Sequence, residues 1–191
     1  MDHDSLTRLA DEDLIPLVER RQPAAFEIIY DRHGGTAYSL AYRIVGERTL
    51  AEEVTQEAFL SIWRTGAKFD RARGSVRTWL LGIVRNRAID ALRHEAARAP
   101  SVSLDLESVA EPRATIDQLT DSEAIRREAA REVRTALSAL PSDQLHVVQL
   151  AYYGGMTHAE ISESLGMPLG TVKGRMRLGM EKIRAHLAEE L

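Results

Sequence analysis

The sequence predicts an all-α protein made of two small helical domains joined by a flexible linker. Three observations predict it. Apolar residues recur at three- and four-residue spacing through most of the 191-residue chain, which is the helical period. Aromatic residues are only 5% of the chain against 44% hydrophobic, and β-branched runs are few, so there is little material for strands. Between residues 94 and 120 the period lapses into Pro100, Pro112, serines and acids, a composition that buries little and reads as a linker.

The helices follow in order. Leu14, Leu17 and Val18 start one, with Pro16 expected in its first turn or at a kink. Phe26, Ile29 and Tyr30 continue an apolar face, which Gly34-Gly35 is expected to break or loosen. Tyr38, Ala41, Tyr42 and Val45 form a further stripe that Gly46 closes. Leu50 to Trp63 is the next helix, with Val54, Ala58 and Ile62 inward and Glu52, Glu53, Gln56 and Glu57 outward. Gly66 to Ser75 is a basic loop. Thr78 to about Arg93 is a long helix packing through Leu80, Ile83, Val84, Ala88, Ala91 and Leu92, while Asn86, Asp90 and Arg93 share a polar face.

Helical pattern resumes at Thr120-Asp121-Ser122-Glu123, which has capping-box spacing. Ile125, Ala129, Val133, Ala136 and Leu140 form one stripe, ended by Pro141; Leu145, Val148 and Tyr152 form the next. Gly154-Gly155 then leads into a helix-turn-helix. Thr157 and Glu160 again have capping-box spacing, Ile161 and Leu165 give an apolar face, and Ser162 is small enough for close contact. Gly166 suits the turn because it tolerates positive φ, and Pro168 suits the first turn of the second helix. Val172, Met176, Met180, Ile183 and Leu187 form the buried stripe of that helix. Gly170, Thr171, Lys173, Gly174 and Arg177 lie away from it. A basic outer face of small residues is what a helix needs to enter the DNA major groove.

Charge supports a polyanion partner despite the net −4. Residues 64–93 hold eight Lys/Arg against two Asp, and residues 171–186 hold five against one Glu. The acids gather in residues 1–19 and 94–123. Two basic islands in an acidic chain suggest two separate contacts with nucleic acid. Cysteine is absent, which excludes disulfides and thiolate metal sites. No run of 18 apolar residues exists and the acidic start Met1-Asp2-His3-Asp4 lacks an apolar signal region, so a cytoplasmic home is expected.

The first basic island interleaves cations with aromatics: Trp63-Arg64, then Phe69-Asp70-Arg71-Ala72-Arg73-Gly74-Ser75, then Thr78-Trp79-Leu80. Arginines track phosphates while rings stack on unpaired bases, at about 1–3 kcal/mol per base, so this island suits a single strand. Phe69 is also placed to be core, and Trp63 and Trp79 read as core rather than base platforms.

Together these motifs carry a family resemblance. Gln56-Glu57-Ala58-Phe59, Trp63-Arg64, Phe69-Asp70, Gly74-Ser75, Thr78-Trp79-Leu80 and Val84-Arg85-Asn86 come first, with Ala88-Ile89-Asp90 after them. A linker follows, then Ala139-Leu140-Pro141, Gly155-Met156-Thr157, Ala159-Glu160-Ile161-Ser162, Leu165-Gly166-Met167-Pro168 and Gly170-Thr171-Val172-Lys173. This order resembles the sigma factors of bacterial RNA polymerase, and among them the small extracytoplasmic-function group that keeps only region two and region four. The resemblance spans roughly residues 14–187. It implies domains at 11–93 (region two) and 121–188 (region four) around a linker at 94–120.

The resemblance also implies roles. Glu53, Gln56 and Glu57 match the surface that docks on the polymerase β′ clamp helices. Ser61, Thr65, Phe69, Arg71, Arg73 and Asn86 match the part that captures the melted strand of the minus-ten element. Thr171, Lys173, Gly174 and Arg177 match the reader of the minus-thirty-five element. Arg175, nearer the buried stripe, matches a phosphate contact, and the rest of region four matches the β-flap contact. The implied partners are core RNA polymerase, promoter DNA and an anti-sigma factor, with no cofactor, metal or small-molecule substrate.

Several positions depart from the family pattern: Leu50 for a frequent aspartate, Leu145 for an arginine, Gly174 for a serine, and Arg177-Leu178-Gly179-Met180 for a more basic run. The linker fits the span: about 27 residues reach roughly 90 Å at ~3.3 Å each, against roughly 70 Å for elements about 20 base pairs apart. An enzyme is the first rival reading, but no phosphate-binding loop occurs and His94-Glu95 lacks the second histidine of a zinc-protease motif. The second rival is a dimeric operator-binding regulator, which has no use for the basic island at 64–93.

Overall fold

The computed structural model of the chain describes residues 3–65, 68–98, 131 and 133–189. Every regular element among them is helical, as the composition predicts. They fall into two compact units, Met1–Ala110 and Glu111–Leu191.

The first unit contains α1 (His3–Thr7), α2 (Asp11–Glu19), α3 (Pro23–Val45), α4 (Arg48–Thr65) and α5 (Val76–Arg98). A 3-10 turn at Arg71–Arg73 precedes α5. α3 is central: α4 and α5 pack along it, α1 and α2 pack beside them, and α4 also touches α5. Leu14, Val18, Ile29, Phe59, Ile62, Leu80 and Val84 fill the interior.

The packed face of α3 is Ala25, Ile29, His33, Ala37 and Ala41, recurring every fourth residue. Its alanines let neighbouring helices approach closely. Tyr30 and Tyr42, expected on that face, instead lie at its rim, 43% and 47% exposed. Gly34-Gly35 does not break the helix, which runs unbroken for 23 residues. Gly34 is buried beneath the Tyr30 ring. Packing against four neighbouring helices outweighs the ~1 kcal/mol that each glycine costs a helix interior.

Several boundaries also move. α2 starts at Asp11, where the Ala10 carbonyl accepts from the Asp13 and Leu14 amides, so Pro16 lies in the second turn. α1, which the sequence reading did not propose, buries Leu6. The Glu47 carboxylate accepts from the Thr49 and Leu50 amides at 2.8 and 2.6 Å and so caps α4. Gly46, at φ +74°, closes α3 as expected. α5 begins at Val76, capped by the Ser75 hydroxyl accepting from the Thr78 amide. It continues to Arg98 rather than ending near Arg93, because the next residues are helix formers with no glycine or proline until Pro100.

The second unit contains α6 (133–138), α7 (Ser142–Tyr152), α8 (His158–Ser164) and α9 (Leu169–Glu189). α7 packs on α9, and α8 packs on both. Ala136, Leu140, Val147, Leu150, Ile161 and Val172 form the core. α7 buries Gln144, Val147, Val148 and Leu150, whereas Tyr152, expected in its stripe, is 44% exposed. Ile125, Ala129, the capping-box spacing at 120–123 and residues 99–120 of the expected linker lie outside the described residues.

Candidate nucleic-acid interface

In the first unit, Val54, Ala58, Phe59 and Ile62 fill the inner face of α4. That turns Glu53, Gln56 and Glu57 outward, and all three are exposed. Glu57 accepts from the Arg87 guanidinium of α5 at 3.3 Å. A cleft of about 280 Å³ opens beside this face, with Leu50, Val54 and Ala91 toward its floor and Glu53, Glu57, Asp90 and His94 on its rim. Ser61 is half-buried further along α4, and Thr65 is the last residue of that helix.

Arg21 holds the end of α4. Its backbone is left-handed at φ +61°, its guanidinium donates to the Arg64 carbonyl at 2.6 Å, and it lies 5.5 Å from the Trp63 ring centre. Trp63 also packs against Phe26 at 5.1 Å, in line with its reading as core.

Residues 70–74 of the basic loop are held by local bonds. The Asp70 carboxylate accepts from the Ala72 amide at 3.0 Å and starts the 3-10 turn; Gly74 at φ +133° ends it. Phe69 is half-buried and meets Trp79 edge-on at 5.6 Å. The loop's ring is therefore anchored to the start of α5. Arg71 and Arg73 are exposed, and Arg71 donates to Asp13 of α2 at 2.6 Å. Asn86 is exposed on α5, seven residues beyond Trp79, and so lies on nearly the same side of the helix. One aromatic pair, two outward arginines and an amide able to donate and accept suit capture of an unstacked base and its phosphates.

Electrostatics also fix the N-terminal helices. The Arg32 guanidinium donates to the Thr7 and Leu9 carbonyls and to Asp11 Oδ1 at 2.6, 3.0 and 2.7 Å. The His33 ring, 2% exposed, meets Asp11 Oδ2 at 2.7 Å. Burial alone raises the Asp11 pKa, but the His33 and Arg32 hydrogen bonds outweigh it and hold the carboxyl at about 2. Glu47 is likewise held below its ordinary value by the Leu50 and Thr49 amides.

In the second unit the helix-turn-helix forms as the spacing predicts. The Thr157 hydroxyl accepts from the Glu160 amide at 3.2 Å, and the Glu160 carboxylate accepts from the Thr157 amide at 2.6 Å. Gly166 takes φ +60° and the Ser162 hydroxyl donates to the Met167 carbonyl, closing the turn. The Pro168 carbonyl accepts from the Thr171 and Val172 amides at 2.9 and 3.2 Å, so proline sits just before α9 rather than inside its first turn.

Along α9, Val172 is fully buried, and Met176, Met180, Ile183 and Leu187 are half-buried. Thr171, Lys173 and Arg177 are exposed. A Cβ at Gly174 would meet nothing within 4 Å, so that position looks onto open space. Arg177 donates to both carboxylate oxygens of Glu181 at 2.8 and 3.0 Å. Arg175 differs from the other four candidates. Its Nε meets Asp143 of α7 at 3.1 Å and its Nη1 reaches the Met167 sulfur at 2.8 Å.

Nothing in the local sequence marks Asp13, Arg21, Arg87 or Asp143. Each acts through a partner distant along the chain, where no local spacing announces it. Among the described residues, no cluster of three or more His, Asp or Glu could hold a metal ion, and no helix is long and apolar enough to cross a membrane.

Comparison with known proteins agrees with this arrangement. Residues 29–98 match the family model for Sigma-70 region 2, and residues 130–183 match that for Sigma-70, region 4. The chain is 35% identical over 177 residues to the ECF RNA polymerase sigma factor SigK of Mycobacterium ulcerans (strain Agy99), covering 90% of both chains. It is also 35% identical over 174 residues to SigK of Mycobacterium tuberculosis (strain ATCC 25618 / H37Rv), again covering 90% of both. A similar solved structure is Rhodobacter sphaeroides SigE in complex with the anti-sigma ChrR, at 25% identity, 92% of this chain, 97% of that chain and a TM-score of 0.44. Both halves matching in order, with relatives covered over nearly their whole length, establish that the chain belongs to the extracytoplasmic-function (ECF) group of RNA polymerase sigma factors.

Proposed function

We propose a residue-level division of labour for this sigma factor, with residues 11–93 acting as region two, 94–120 as the linker and 121–188 as region four. Glu53, Gln56 and Glu57 dock on the β′ clamp helices of core polymerase. Ser61, Thr65, Phe69, Arg71, Arg73 and Asn86 capture the melted non-template strand of the minus-ten element. Thr171, Lys173, Gly174 and Arg177 read the minus-thirty-five element, and the remaining surface of region four meets the β flap. The chain supplies no catalysis; the polymerase does.

The observation that carries this reading is the juxtaposition within one unit. An outward acidic face on α4 lies beside a basic loop whose aromatic ring is pinned to α5. An anti-sigma factor covers the docking surfaces when the chain is off the polymerase.

Run-off transcription with purified core polymerase tests the proposal. A promoter-dependent transcript that disappears when Glu53 and Glu57 are replaced by lysine is expected. Transcription unchanged by that reversal would remove the docking assignment, and absence of core binding by the unaltered chain would remove the proposal entirely.

A further inference from the structure

We propose that Asp143 is a positioning residue for upstream-element recognition, acting through Arg175 to fix the rotation of α9 in the major groove. The inference rests on the reading that α9 enters that groove.

A helix advances 100° per residue, so Val172, Arg175, Met176 and Gly179 share one side of α9. All four are buried or half-buried. That side faces α7: a Cβ at Gly179 would lie 3.2 Å from Val148 and 3.6 Å from the Cβ of Gln144. Glycine there lets the two helices touch, and the contact leaves little freedom to slide. The Val148 side of that contact is apolar, and apolar burial is non-directional. Arg175 supplies direction. Its guanidinium takes Asp143 on α7 with one nitrogen and the Met167 sulfur in the turn with another, so one side chain ties α9 to both elements behind it. The Arg175 and Asp143 side chains are 30% and 45% exposed, partly withdrawn from solvent screening. Asp143 also lies in the first turn of α7, where the helix field favours its charge.

The far side of α9 carries Lys173, Gly174 and Arg177. Because reader and brace share one rigid helix, turning the brace turns the readers. If Asp143 acted only as a negative charge near DNA, its removal would strengthen binding to any sequence. If it orients α9, its removal weakens binding to the preferred sequence alone.

The experiment uses holoenzyme assembled from the full chain and core polymerase. Its probes are a 30-base-pair duplex selected by the unaltered holoenzyme from a random pool, and an unselected random duplex of equal length. Asp143→Ala and Arg175→Gln are each expected to lower the preference for the selected duplex about ten-fold, with the double variant no worse than either, since coupled residues are non-additive. Affinity for the random duplex and the salt dependence should not change. A uniform loss on both duplexes for Arg175→Gln, with the salt slope reduced by about one, makes Arg175 a phosphate contact and overturns the proposal. Stronger binding by Asp143→Ala, or additive losses, overturns it too. Lys173→Ala and Arg177→Ala test the groove contact itself: if they leave the preference intact, α9 does not read the groove.

Discussion

The guanidinium of Arg177 already has an anion in the free protein, Glu181 one turn along α9. Exposed pairs of this spacing are worth only about 0.3–0.5 kcal/mol, so a phosphate or a base edge displaces the carboxylate at little cost. Arg177→Ala is therefore expected to cost about 1–3 kcal/mol of upstream-element affinity and to relax preference at one base position. Competition binding with single-base variants of the selected duplex checks this, and equal loss on every sequence would refute base reading. Arg71 is in the same position with respect to Asp13: exposed, paired and readily released. Arg175 is not. Spacing already sets Arg175 nearer the buried stripe than Arg177, and its partners Asp143 and Met167 tie it to the elements behind α9.

At the scale of elements, three local spacing signals stand in the structure. The Thr157–Glu160 capping box, Gly46 after α3 and Gly166 in the turn all stand where sequence placed them, because each satisfies backbone groups within four residues. Thr157→Ala should lose about 1 kcal/mol of stability in the second unit, read by thermal unfolding, and should weaken upstream recognition by loosening α8 beneath α9. Unchanged melting would mean that the turn, with its Ser162 bond, suffices alone. Spacing failed where tertiary contact decides. Gly34-Gly35 stays helical because α3 is clasped along its length. Tyr30, Tyr42 and Tyr152 are apolar enough to be read as core, yet each has a hydroxyl best left near water, and the smaller alanines take the seam. His33 was invisible as a core residue because its burial depends on Asp11 from another helix.

For the molecule, that Asp11 site has a consequence for stability. The folded carboxyl is held at about 2, against an ordinary value of 3.8 in the unfolded chain. A depressed carboxylate contributes stability that is full above the unfolded pKa and lost as pH falls through the folded one, here between about pH 5 and 2. Discounting for the exposed fifth of the side chain, the contribution is about 1–2 kcal/mol at neutral pH. Asp11→Asn should remove it and flatten the acid limb. Both tryptophans lie in the first unit, so urea unfolding followed by tryptophan fluorescence reports that unit directly. An acid limb identical in the variant would show that α1 and α2 are held by other contacts.

By itself the sequence determined the all-α class, the two helical halves with an unpatterned stretch between them, the helix-turn-helix, and the family through the order of its motifs. These are properties of period, caps and composition, which act over a few residues and need no knowledge of what packs where. Only the tertiary structure decided that Tyr30, Tyr42 and Tyr152 lie at the surface and His33 in the core, and which partners Asp11, Asp13, Arg21, Arg87, Asp143 and Gly179 meet. Each of these matters through a partner that folding brings close, and side-chain type alone carries no record of that distance.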